Sequence, residues 1–139
     1  MFRRILIAND GSEGAQRALS AAIRIAKRFE AELHMISVEE LPRFPASIDE
    51  VVEEKTAENH IFGPVIARAS AQAQAEGLKL VTHVVPGHAV PTISDFVAGE
   101  RIDLLVVGFM GHSALYNRLI GSTTDRLVEH APCAVLVIK

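Results

Sequence analysis

The sequence predicts an α/β domain built on a parallel sheet. Short apolar segments alternate along the chain with longer segments of helical period, and turn-forming residues follow most of the apolar segments. Several of these segments are continuous apolar runs, which is typical of strands covered on both faces. Alternating strands and helices favour right-handed crossovers between parallel strands. The length of 139 residues, with 49% hydrophobic residues, predicts one domain over 1–139 with its own core.

Five strands are expected from the apolar segments. The first, fourth and fifth are continuous apolar runs, so we expect them to be covered on both faces. The predicted strands are Ile5–Ala8, Leu33–Val38, Leu80–Val85, Leu104–Val107 and Ala134–Ile138.

Four helices are expected between the strands. Ser12 is a suitable N-cap for the first, which runs to about Phe29 with apolar residues at a period of 3.6. The second is expected over Ile48–Glu76, with a break near Gly63-Pro64 and Gly77 as its C-terminal cap. The others are Val90–Ala98, with Pro91 in its first turn and Gly99 after it, and Ser122–His130, ended by Pro132.

Charge and composition exclude several classes of function. The net charge is −3, with 14 Lys+Arg against 17 Asp+Glu, so no basic field is present to hold nucleic acid. The single cysteine, Cys133, excludes an internal disulfide. The longest apolar stretch, Leu104–Val107, is far below the roughly 20 residues of a membrane span. We therefore expect a soluble cytoplasmic protein with no nucleic-acid or membrane partner.

Two loops that follow strands carry unusual residues. In open α/β sheets, ligands bind beyond the carboxyl ends of the strands, where the strand order reverses. The first loop, residues 9–12, reads Asn-Asp-Gly-Ser, and the second begins with Gly108 and Gly111 and leads to Gly121 at the start of the last helix.

The second loop has the composition of a phosphate cradle. Free N–H groups at a helix start attract anions, and the hydroxyls of Ser122, Thr123 and Thr124 can bind phosphate or cap the helix. The loop has no Gly-Lys-Ser/Thr and is therefore not a Walker A loop. A plain alternative stays open, in which Gly108 ends a strand, Gly111 makes a turn and Ser122 caps a helix.

The glycine spacing resembles a known signature. Gly108-x2-Gly111-x9-Gly121-Ser122 is similar to the Gly-x2-Gly-x9-Gly-Ser/Thr motif in the ATP-binding branch of the universal stress protein family. Residues 5–12 and 130–138 also resemble the opening and closing stretches of that family, and the resemblance covers the whole chain.

The resemblance implies a fold. It is a three-layer Rossmann-like sandwich with a five-stranded parallel sheet in the order 3-2-1-4-5 and helices on both faces. Strands 1 and 4 would then be neighbours at the switch point, which is where both unusual loops lie.

The resemblance also implies a set of ligand contacts. Asp10 matches a carboxylate that contacts adenosine, Val38 an apolar residue packed on adenine, and Val107 and Gly108 the strand end that lines base and ribose. The phosphate-facing positions are Gly111, Gly121, Ser122 and Thr123. The full set of candidate cofactor-binding residues adds four neighbours: Ala8, Asn9, His112 and Thr124. The implied cofactor is ATP, with Mg²⁺ or Mn²⁺ carried by its phosphates and no protein ligand for the metal.

The chain departs from the family pattern at several places, among them the loop after strand 4, where Phe109, Met110 and His112 replace more polar or basic residues. Ala8 stands where the family often has proline, and Asn9 adds a polar group near the expected base. Ala134 replaces a proline and restores an N–H donor to the last strand. Family members pair that strand with its copy, so a homodimer through Ala134–Ile138 is expected.

Several candidate residues have plainer alternatives. Asp10 could be a turn aspartate that accepts from local N–H groups. Arg118 and His112 could reach phosphates or could be solvated. The remaining histidines show no shared ligand spacing, and they are His34, His60, His83, His88 and His130.

The predicted function is a nucleotide-binding stress module that acts as a ligand-dependent switch. No activated base or water-positioning carboxylate is evident beside the phosphate loop, so hydrolysis should be slow or absent. Two alternatives stay open: an interaction module with a degenerate pocket that works through protein contacts, and a slow ATPase or nucleotidyl-transfer catalyst.

Overall fold

The computed structural model describes residues 1–41, 48–109 and 122–139, and for residues 48–60 it describes the backbone alone. Three candidate ligand contacts, Gly111, His112 and Gly121, lie outside the described residues, as does Arg118.

Strands and helices alternate along the described chain. Both ends of most elements fall within two residues of the sequence prediction. The elements are β1 (Arg4–Ala8), α1 (Glu13–Phe29), β2 (Glu32–Glu40), α2 (Ile48–Ala75), β3 (Leu80–Gly87), α3 (Ala89–Gly99), β4 (Leu104–Gly108), α4 (Ser122–His130) and β5 (Ala134–Ile138).

The strands form one parallel sheet in the order β3-β2-β1-β4-β5. The predicted class and the strand order implied by the family resemblance are both confirmed. β1 is central, because Ile7 pairs with Met35 of β2 on one side and with Val106 of β4 on the other. The chain order reverses between β1 and β4, so this is the switch point of the sheet.

Two apolar clusters cover the two faces of the sheet. The first cluster joins α1 and α2 to one face, where Ile5 and Ile7 of β1 are fully buried. The second cluster joins α3 and α4 to the other face, where Leu6 is fully buried. Alternate residues of β1 therefore enter opposite cores, which explains its continuous apolar run.

The fifth strand is less covered than its sequence predicts. β5 has a hydrogen-bonded neighbour on one side, β4, and forms an edge of the sheet. Leu136 packs against the first cluster and Val137 against the second, but both stay half-buried. β5 is therefore covered on both faces, as expected, but less completely than a central strand, because at the edge of the sheet it has a strand neighbour on one side alone.

Helix α2 continues through Gly63 and Pro64, so the predicted break is wrong. A proline inside a helix costs about 3 kcal/mol through a lost hydrogen bond and a steric clash. After the proline, α2 buries Ala69 and Ala73 in the first cluster. This packing keeps the helix in one piece. Gly77 follows the helix with a φ of +77°, as expected of a cap.

Helix α3 ends one residue later than predicted, because Gly99 is its last residue. The left-handed position after it is occupied by Arg101, with a φ of +54°. The N–H of Ile102 donates to the carbonyl of Val97, and that of Arg101 to the carbonyl of Ala98. These bonds form a Schellman motif, in which the buried contact of Ile102 with the second cluster sets the position of the turn.

In the described part of the chain, we find no helix that is both long enough and apolar enough to cross a bilayer.

Candidate functional site

Both unusual loops begin at the carboxyl edge of the sheet. β1 ends at Ala8 and its neighbour β4 ends at Gly108. Val38, near the end of β2, lies on the other side of β1. The sheet order therefore brings together the candidate residues that follow β1 with those that follow β4.

Three of the candidates form an apolar patch at this edge. Val107 is buried, whereas Ala8 and Val38 are partly buried, and all three pack in the second cluster. They come from three adjacent strands and share one face of the sheet. Ala8 and Val38 keep some exposed surface, and an apolar surface beside a switch point can hold the flat face of an aromatic ring.

Gly108 approaches the first turn of α1 too closely for a side chain. A Cβ at this position would lie 2.7 Å from the carbonyl carbon of Gly14 and 2.8 Å from its oxygen. Gly108 therefore ends β4, as its plain interpretation states, and it also allows β4 and α1 to touch through their backbones.

Thr124 connects the start of α4 to the end of β4. Its Oγ1 donates a hydrogen bond of 2.7 Å to the carbonyl oxygen of Gly108, and the residue is buried. The two preceding residues, Ser122 and Thr123, are exposed. The N-terminus of α4 is thereby held at the carboxyl edge beside β4. The N–H groups of its first turn have no partner inside the helix.

The chain that leaves β4 is attached to the last strand. The N–H of Phe109 donates to the carbonyl of Ile138 at 2.8 Å, and Nζ of Lys139 lies 5.5 Å from the Phe109 ring centroid. The first part of the glycine-containing loop therefore leaves the sheet from a fixed point.

Asn9 is buried, and its polar atoms bond within the protein. Its Oδ1 accepts from the N–H of Gly11 at 2.9 Å, and its Nδ2 lies 3.4 Å from Sδ of Met35. Its carbonyl accepts from Oγ of Ser37 at 2.7 Å, and its N–H donates to Ile36. Sequence reasoning expected Asn9 to add a polar group near a base, whereas the structure uses its side chain to shape the turn after β1.

Asp10 is exposed at the same turn. Its Oδ1 accepts from the N–H of Ser12 at 3.0 Å, which is the local bond that the plainer alternative predicted. Gly11 has a φ of +85°, and Ser12 caps α1 by accepting from the N–H of Ala15. The turn thus places the exposed residue Asp10 at the carboxyl edge of the sheet.

No group of three or more His, Cys, Asp or Glu side chains that could hold a metal ion occurs among the residues the structure describes.

A histidine pair lies on the face of the sheet that α3 covers, and sequence reasoning did not find it. Nδ1 of His34 on β2 lies 3.1 Å from Nε2 of His83 on β3, with ring planes 12° apart. Phe96 of α3 covers His83, with ring centroids 4.6 Å apart. The two histidines are 49 residues apart and sit diagonally across neighbouring strands, so only the register could have revealed them.

The pKa of His83 is lowered from its ordinary value. Burial lowers the pKa of His83, and repulsion from His34 lowers it further, whereas the carboxylate of Glu100 partly opposes both effects. A hydrogen bond between two imidazole nitrogens needs one protonated and one free nitrogen. Protonation of both facing nitrogens would therefore break this contact.

The comparison with known families decides the identity of the fold. The model of the universal stress protein family matches residues 1–139. The chain belongs to the universal stress protein family. A universal stress protein of Methanocaldococcus jannaschii, MJ0531, is 31% identical over 100% of this chain and 83% of its own length.

Solved universal stress proteins share the architecture. The UspA protein of Lactobacillus plantarum has a TM-score of 0.92 and 30% identity, covering 99% of this chain and 98% of its own. A universal stress protein solved in complex with cAMP has a TM-score of 0.77 and 25% identity, covering 99% of this chain and 97% of its own.

Proposed function

We propose that this universal stress protein binds ATP or another adenine nucleotide at the carboxyl edge between β1 and β4 and acts as a nucleotide-dependent sensor. The hydrogen bond from Thr124 to Gly108 carries the proposal. It brings the two described parts of the glycine motif, the end of β4 and the start of α4, to one place beside the apolar patch.

The nucleoside would contact the residues at the ends of β1, β2 and β4. The apolar patch of Ala8, Val38 and Val107 suits a purine ring. Asp10 is exposed, and its carboxylate is an acceptor for ribose hydroxyls. In this proposal Asn9 contributes indirectly, since its side chain shapes the turn that presents Asp10.

The phosphates would lie at the start of α4. The first-turn amides and the exposed hydroxyls of Ser122 and Thr123 are donors of the type that phosphate oxygens need. Gly111 and Gly121, with His112 nearby, are proposed to complete this cradle. Mg²⁺ or Mn²⁺ would be carried by the phosphates, where it would neutralise their charge.

A relative supports the choice of ligand class. The relative solved with cAMP holds an adenine nucleotide and matches 99% of this chain. A switch requires that the nucleotide bind one state of the protein better than another. Slow or absent hydrolysis would suit such a role, because the bound nucleotide would then persist.

Calorimetry with ATP tests the proposal. Wild type should bind ATP, and Gly121→Val should bind much more weakly, because a β-branched side chain would block the approach of the phosphates. Gly99→Ala is a matched control, since that glycine is exposed at the end of α3 with open space around it. Wild type that binds no adenine nucleotide would contradict the proposal and favour the interaction module. Turnover that scales with protein concentration would favour the slow ATPase.

A homodimer through β5 is part of the proposal. β5 is an edge strand whose apolar side chains are half-buried, and an unpaired edge can add a second strand. Hydrogen exchange of the outward-facing β5 amides should slow as protein concentration rises. Exchange independent of concentration, with a monomeric mass by light scattering, would contradict pairing. The single-domain organisation and the cytoplasmic location stay predictions.

A further inference from the structure

We propose that Thr124 is a positioning residue, which holds the start of α4 against β4 so that its main-chain amides recognise the phosphate groups of the ligand. The inference rests on the proposed nucleotide site and assigns Thr124 a different role from its neighbours. Ser122 and Thr123 face solvent, whereas Thr124 is buried and bonded to the protein.

The hydroxyl of Thr124 is already used. Its proton is donated to the carbonyl oxygen of Gly108 at 2.7 Å. A hydroxyl has one proton to donate, so a direct bond to a phosphate oxygen would require breaking this contact. The half-buried carbonyl of Gly108 would then lose this donor, which carries a cost in free energy. Thr124 therefore acts on the ligand through the position of α4.

The partner of Thr124 is a rigid reference point. Gly108 touches the backbone of Gly14, and the next residue, Phe109, is bonded to Ile138. The end of β4 is thus held by α1 on one side and by β5 on the other. The hydrogen bond from Thr124 to Gly108 fixes the first turn of α4 relative to β4. Without it, small displacements of this turn would misalign its N–H groups with the phosphate oxygens.

The two ends of the nucleotide should respond differently to a loss of this bond. The patch of Ala8, Val38 and Val107 lies on the strands and does not depend on the Thr124 hydroxyl. Loss of the bond should therefore weaken ligands in proportion to their phosphate contacts. A general loss of folded protein would weaken all ligands equally.

The experiment compares ATP with adenosine on three proteins by calorimetry: wild type, Thr124→Val and Thr124→Ser. Valine keeps the shape of threonine and removes the donor, so ATP should bind about two- to tenfold more weakly, the range for one neutral hydrogen bond. Adenosine should bind unchanged. Thr124→Ser keeps the hydroxyl and should restore ATP binding. Thr82→Val, the same exchange on half-buried β3, is the control and should bind ATP like wild type.

Each result is decisive. Wild type that binds neither ligand overturns the proposed function and this inference together. Wild type that binds ATP while Thr124→Val binds it equally well overturns the inference alone, and so does an equal loss of ATP and adenosine. If Thr124→Val does not fold, Thr124→Ala and Thr124→Ser supply the same comparison, because they differ in the hydroxyl alone.

Discussion

A Cβ on Gly108 would lie 2.7 Å from the carbonyl carbon of Gly14, so β4 and α1 touch through their backbones. A backbone neighbour cannot move aside as a flexible side chain can. We therefore expect Gly108→Ala to lower the free energy of unfolding by about 1–3 kcal/mol, the usual cost of overpacking. Urea denaturation followed by circular dichroism measures this change.

A control for Gly108→Ala needs a helical glycine with open space around it, and the exposed glycine of α2 has the space but lies beside a proline. Its place is better taken by Gly99, the last residue of α3, where a Cβ would meet no neighbouring atom within 4 Å. Gly63 precedes Pro64, whose ring would crowd a new Cβ. Gly99→Ala should raise stability by up to about 1 kcal/mol, because alanine loses less backbone freedom on folding. If both substitutions changed the free energy of unfolding in the same direction, the close contact of β4 with α1 would not explain the effect of Gly108→Ala.

Substitutions of Asn9 and Asp10 should affect different properties, the first mainly folding stability and the second mainly nucleotide binding. Asn9→Ala removes an acceptor for the N–H of Gly11 and leaves space beside Met35, so we expect a loss of about 1–3 kcal/mol in unfolding free energy. Asp10→Ala changes an exposed residue and should cost less than about 1 kcal/mol, while weakening adenine nucleotides. Denaturation and calorimetry on both variants check this. The opposite assignment of effects would contradict our account of the turn.

The strands could be predicted from the sequence because a strand that is buried on both faces consists almost entirely of apolar residues. Leu104–Val107 and Ile5–Ala8 are apolar without alternation, and both lie in the middle of the sheet. Ala134–Ile138 has the same composition but forms the edge. The composition of a strand shows how much apolar surface it can bury. Whether it has a neighbouring strand on both sides depends on the topology of the sheet, which its own residues do not show.

The sequence predicted where the two candidate loops begin, and it predicted less well how their side chains are used. Both loops begin at the switch point, where the general rule for parallel sheets places ligands. Asn9 and Asp10 are adjacent and similar in chemistry, yet one is buried and the other exposed. Thr124 differs from Thr123 in the same way. A shift of one residue along a turn or helix changes which side chain points into the protein. Such a shift depends on where the strand or helix ends, and the sequence predicts those ends only to within a residue or two.

Pro64 should be a source of instability in α2. The helix continues through it although the proline cannot donate to the carbonyl four residues earlier. Pro64→Ala should raise the free energy of unfolding by on the order of 1–2 kcal/mol, after allowing for the freer unfolded chain. Thermal unfolding measures this as a higher Tm. A lower Tm would show that the packing of α2 depends on the proline.

The histidine pair should make folding stability depend on pH. Burial and the nearby His34 lower the pKa of His83 in the folded protein below its ordinary value of 6.5. As pH falls through 6.5, the unfolded chain takes up this proton before the folded protein does, so stability decreases. The loss levels off once pH is below the folded pKa, and the full contribution returns above about pH 7.5.

Urea denaturation at several pH values tests this dependence. In His83→Gln the titrating group is gone, so stability should fall less steeply as pH drops from about 7.5 towards 5.5. The control variant is His130→Gln, which removes an exposed imidazole on α4, away from the pair. If wild type and His83→Gln showed the same slope, the pair would not control it. A slope of opposite sign would mean that the folded protein binds the proton more tightly, which the buried contact with His34 and Phe96 argues against.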